Sequence, residues 1–126
     1  MIRVGRHILK ALASTQAVIP LSCGEGEYYA LLKGVSGAFG VRSVMNDLAL
    51  YPEVHAKTGS SAAKGVCGRR GMGKTRHIEV CYSWLQDLLA KREVAVVTIP
   101  GESNPADLMT KYSTCKRIHI LKELMG

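Results

Sequence analysis

Ser22-Cys23-Gly24 is the point that most restricts how this chain can fold. A β-compatible run ending in Val18, Ile19 and Leu21 stops there, and residues of helical period begin at once. Tyr28, Leu31, Val35, Ala38, Val41, Met45 and Leu48 recur at steps of three and four, the spacing of one buried helix face. The junction is strand-to-helix, and the spacing predicts a helix over 25–49. Its Gly34, Gly37 and Gly40 weaken helix propensity, so the helix depends on tertiary support, and small side chains near one face suit close packing. Glu25 and Glu27 fall in the first turn, where the positive end of the helix dipole favours anions. Two residues apart, they point to nearly opposite sides, and Glu27, four before Leu31, borders the core-facing stripe.

A chain of 126 residues is the size of one domain, and 47% hydrophobic with 21% charged residues is a globular balance. No apolar run is long enough to span a bilayer, so a membrane protein is not expected. The net charge of +7 permits a polyanionic partner, because clustered Lys and Arg release counterions from phosphates. Cys23, Cys67, Cys81 and Cys115 show neither a CxxC pair nor a short Cys/His spacing. Neither a zinc site nor a disulfide framework is indicated; reduced, mostly buried thiols in an intracellular compartment, cytoplasmic or nuclear, are expected.

The basic amino end, MIRVGRHILK, is read as a β-hairpin turning at Gly5-Arg6 rather than as a transit peptide. The hairpin region extends over 1–21, with a strand from His7 to about Ala13 and its continuation at Val18–Leu21. Beyond the long helix, a strand is expected at 53–58 and a helix at 60–67 capped by Ser60-Ser61. A basic loop follows at 68–74. Thr75 opens a helix over 75–91, whose stripe is Ile78, Cys81, Leu85 and Leu88. Val94 to Ile99 is the clearest strand. Asn104-Pro105 then starts a helix over 105–112, and an amphipathic tail at 115–125 carries Ile118, Leu121 and Met125.

GRRGMGKT (68–75) satisfies the phosphate-loop pattern GxxxxGK[ST], with Lys74 and Thr75 in the phosphate and magnesium positions. That motif needs a hydrophobic strand entering the loop, whereas Ser60 to Cys67 is Ala/Lys-rich and helical. The later strand, VAVVTIPGE, also lacks an Asp at its carboxyl end. Nucleotide binding is therefore the weaker alternative. As a charge patch the same region is more informative: Lys64, Arg69, Arg70, Lys74 and Arg76 have no acid among them, so a phosphate backbone would meet several cations at once. Tyr82 and Trp84 are nearby stacking candidates, although Trp84 reads more readily as core.

Four spaced blocks carry a resemblance: STQAVIPLSCGEGEYYALLKG (14–34), TGSSAAKGV (58–66), KTRHIEVCYSWLQ (74–86) and NPADLMTK (104–111). In that order they resemble the ribonuclease H domain at the end of copia-type retrotransposon polyproteins, over nearly the whole chain from about Gly5. The resemblance implies an α/β fold, a ribonuclease H-like mixed sheet flanked by helices. It also implies hydrolysis of RNA in RNA–DNA hybrids, with Mg2+ or Mn2+ held by four carboxylates; no small-molecule substrate is expected.

On this resemblance the second carboxylate maps onto Glu27 and the last onto Asp107, the implied catalytic and metal-binding residues. The third should stand just before Ser60-Ser61, where such elements read TDSSAAKG; this chain has Gly59, which cannot ligate a metal. The first should lie on a central strand ahead of the hairpin, and the chain starts at Met1 partway through the hairpin's first arm. That strand is expected to be lacking, leaving two half-sheets with open edges that invite a strand from a partner chain. Two acids of four hold two divalent cations poorly, so an inactive domain is expected. A non-catalytic nucleic-acid-binding module using 64–76 is the alternative.

Overall fold

The computed structural model describes residues 1–14, 19–20, 22–67, 79–108 and 111–125. Among these residues the strands form two separate two-stranded sheets rather than one. Strands β1 (Ile2–Val4) and β2 (His7–Lys10) make an antiparallel hairpin with Val4 opposite His7. Gly5 turns it at φ +57°, a conformation that glycine adopts without a Cβ penalty. Strands β3 (Val54–Thr58) and β4 (Val94–Thr98) run parallel in the continuous register Val54–Val94 to Thr58–Thr98.

Helix α1 (Cys23–Asp47) joins the two sheets, packing against both β1 and β3. Ser22 caps it: the Ser22 Oγ accepts from the Glu25 amide at 3.2 Å, meeting one of the donors every helix start leaves over. The short helix α2 (Ser61–Cys67) packs on α1; Ser60 Oγ caps it by accepting from the Ala63 amide at 3.1 Å. Helix α3 (Glu79–Ala90) contacts β4, and α4 (Cys115–Met125) closes the chain. The core consists of Tyr28, Leu31 and Val35 of α1, Val54 of β3, Leu85 and Leu88 of α3 and Val94 of β4. Arg42 clasps the far end of α1 to the loop before β4, its guanidinium 3.0 Å from a Glu93 carboxylate oxygen and 4.7 Å from the centre of the Phe39 ring. Trp84 meets Phe39 edge-on at 6.0 Å and is partly exposed, so it is a rim residue rather than core.

The helical stripe is buried at Tyr28, Leu31 and Val35 and half-buried at Ala38, Val41 and Met45, and Leu48 lies exposed just past the last helical residue. The expected strand His7–Ala13 stops at Lys10, and of the expected helix 105–112 the described residues show a 3-10 turn at Pro105–Asp107, while 109–110 lie outside the described residues. Leu108 breaks out of helical geometry at φ −60°, ψ 128°. Of the three glycines read as a packing face, Gly37 alone is closely approached, with Ile2 Cδ1 2.8 Å from where its Cβ would stand; Gly34 and Gly40 face open space. Cys23 and Cys115 are exposed free thiols, against the expectation of burial, because both sit at the first residue of a helix. The phosphate-loop segment 68–75 and the expected helix start at Thr75–Ile78 lie outside the described residues. Ahead of that segment stands a helix, α2, and not the strand that a phosphate loop requires.

Candidate functional site

At the carboxyl ends of β3 and β4 three sequence-distant pieces come together. In open α/β sheets this edge is where ligands bind, because loops from successive strands converge there. The Ile99 amide donates to the Thr58 carbonyl at 2.9 Å, continuing the ladder past the last strand residues. Thr58 is buried, and its Oγ1 accepts from the Ser60 amide at 3.1 Å, which turns the chain sharply at Gly59 into α2. A Cβ on Gly59 would stand 3.5 Å from Asn104 Nδ2, an ordinary contact.

Asn104 organises the loop on the other side. Its Oδ1 accepts from the Ala106 amide at 3.2 Å as the cap of the 3-10 turn, and its Nδ2 donates to Asp107 Oδ1 at 3.0 Å. Asp107 is buried, and the lone pairs of its second oxygen face two cations: Lys111 Nζ at 3.0 Å and an Arg117 guanidinium nitrogen at 3.6 Å. Arg117 reaches over from α4 and also donates to the Gly101 carbonyl at 2.8 Å. Burying a carboxylate is costly unless it is paired and hydrogen-bonded, and both conditions are met here by the chain itself.

The other expected acid sits differently. Glu27 is exposed in the first turn of α1, whereas Glu25, expected on the far side, is the buried one. Glu25 stands three residues before the fully buried Tyr28 and Glu27 four before Leu31, so both border the core stripe, and the packing around α1 leaves Glu25 covered and Glu27 exposed. Lys64 is exposed near the end of α2. Arg69, Arg70, Lys74 and Arg76, the rest of the expected basic patch, lie outside the described residues, as do the side chains of Cys67 and Cys81.

A pair of divalent cations asks for several hard oxygen donors within one small sphere. Among the described residues no group of three or more His, Cys, Asp or Glu side chains gathers in this way. Gly59 offers no side-chain donor, and Asp107 is already engaged by Lys111, Arg117 and Asn104. These residues do not fit a two-metal centre. Nor is any helix among them long and apolar enough to cross a membrane. What sequence reasoning missed is the cationic pair on Asp107. Lys111, four residues on, is within the reach of a local pattern, but Arg117 belongs to another helix and left no local signal.

The chain is similar to the retrovirus-related Pol polyprotein from transposon TNT 1-94 of Nicotiana tabacum, with 26% identity over 113 residues, covering 88% of this chain and 8% of that polyprotein. It thus corresponds to a small part of the relative's length. No family model matches the chain, and no solved structure matches it. The similarity supports an origin in a retrotransposon Pol polyprotein, and the chain is a mixed α/β protein with small sheets.

Proposed function

We propose that this chain is a ribonuclease H-like domain of a copia-type retroelement polyprotein in which hybrid-cleaving activity has been lost. The observation that carries the reading is Gly59. It follows the last residue of β3, at the position where the resemblance asks for a metal-binding Asp, and a Cβ there would meet Asn104 Nδ2 at an ordinary 3.5 Å, beside the Asn104–Asp107 pair. The similarity to a retrotransposon Pol polyprotein supports the ancestry. In-line hydrolysis by two metals needs charge to offset the repulsion between the ions, and Glu27 with an already neutralised Asp107 supplies too little.

An Mg2+- or Mn2+-dependent cleavage assay on an RNA–DNA hybrid tests this. The expected result is no cleavage above that of Glu27→Gln. Cleavage by the natural chain that Glu27→Gln abolishes overturns the loss of activity.

A second reading draws on the net charge of +7 and the exposure of Lys64: a non-catalytic nucleic-acid-binding surface formed by Lys64, Arg69, Arg70, Lys74 and Arg76. Its signature is hybrid or duplex affinity that falls steeply with salt and with Arg69→Ala/Arg70→Ala. Affinity indifferent to salt removes it.

A further inference from the structure

Helix α4 buries one residue completely, Leu121, while Ile118, Ile120 and Leu124 stay substantially exposed. Apolar contact of that extent does not hold an eleven-residue helix in place without help. Polar ties act at both ends. Near its start, Arg117 spans to Asp107 and to the Gly101 carbonyl. At its finish, Arg3 of the hairpin donates to the Leu124 carbonyl at 2.8 Å, a cation at the negative end of the helix dipole. In both arginines the Nε atom is itself buried without a hydrogen-bond partner, so each guanidinium is packed into the contact rather than lying loosely on the surface.

We infer that Asp107 is a metal-independent anchor for α4, with the Lys111 ammonium and the Arg117 guanidinium as its permanent counter-cations. The geometry requires this of the carboxylate. Its Oδ1 is taken by Asn104 at 3.0 Å, and its Oδ2 faces Lys111 at 3.0 Å and Arg117 at 3.6 Å, from a side chain only 9% exposed. A divalent ion approaching Oδ2 would have to displace Lys111 and meet the repulsion of Arg117 at close range. Removing Arg117 would take one of the two cations from Asp107 and leave α4 held by the buried Leu121 and the Arg3 tie at its carboxyl end. The assignment concerns the chain's own residues and holds whatever its ancestry.

Thermal melting and amide hydrogen exchange on the full chain test it. Arg117→Met is expected to lower the midpoint by about 5 °C and to speed exchange across 115–125 while the β3–β4 amides stay protected. In an Asp107→Asn background the same substitution should add little, because the interaction is already gone. Lys111→Met, on a side chain 63% exposed, keeps the test available if Asp107→Asn fails to fold. Titrating Mg2+ or Mn2+ into the natural chain should leave its midpoint where it was, and Lys111→Met should be the variant that first responds to metal. Additive effects of Arg117→Met and Asp107→Asn, or a metal-induced rise in the natural chain's midpoint, overturn the inference. Cleavage activity enters none of these readouts, so the fate of the proposed function does not decide them.

Discussion

A Cβ on Gly59 would stand 3.5 Å from Asn104 Nδ2, the same amide nitrogen that donates to Asp107 at 3.0 Å. The residue after β3 thus lies close to the asparagine that orders the 101–108 loop. Gly59 has no positive φ, so a side chain there meets neither backbone strain nor a clash. Gly59→Asp is therefore expected to fold with a thermal midpoint within about 3 °C of the natural chain. On the proposed loss of activity, hybrid cleavage should not appear in Gly59→Asp, since Lys111 and Arg117 still hold Asp107. Cleavage appearing with this one substitution would show the cationic pair to be no obstacle.

Gly34 and Gly40 sit in the interior of α1 facing open space, whereas Gly37 is approached by Ile2 Cδ1. Gly34→Ala and Gly40→Ala should each stabilise the protein by about 1 kcal/mol in denaturant unfolding. Gly37→Ala should gain less, because the Ile2 methyl has to move. In an Ile2→Val background, which removes that methyl, the full gain should return. Equal gains at all three positions would contradict the approach of the hairpin to α1.

Helices α1 and α3 both end on non-glycine residues in the left-handed region, Ala49 at φ 60° and Arg92 at φ 57°. The hydrogen bonds are those of a Schellman end: Leu50 donates to Met45 and Ala49 to Asn46, and Glu93 donates to Leu88 and Arg92 to Leu89. A Cβ in this conformation is strained, so Ala49→Gly and Arg92→Gly should each stabilise by about 0.5–1 kcal/mol. Destabilisation in either variant would mean that the left-handed turn is not adopted in solution.

Among the described residues each sheet has two strands, so each strand keeps one edge that no other described strand pairs. Exposed Leu9 on β2 and Val97 on β4 add apolar surface beside those edges. Melting should accordingly depend on protein concentration, the midpoint rising over about a 100-fold range as a second copy pairs with an edge. A sharp, concentration-independent transition would mark a self-sufficient monomer.

By itself the sequence determined what local chemistry can encode. Ser22 and Ser60 announced the starts of α1 and α2, Gly5 the hairpin turn, Asn104-Pro105 the turn that carries Asp107, and the VAVVT run strand β4, each through capping, φ preference or periodicity within a few residues. It also determined that position 59 carries no side-chain donor, which no arrangement of the backbone can undo. Tertiary structure alone decided which glutamate of the α1 start is buried, since that depends on the packing around the helix. It decided too that Asp107 is claimed by Lys111 and Arg117, because Arg117 arrives from α4 and a pairing between distant segments exists only once the chain has folded. The helix expected beyond Asp107 failed for the same reason. A proline start and a capping asparagine license one turn, but continuing it needs a face to bury, and the chain at Leu108 turns away instead.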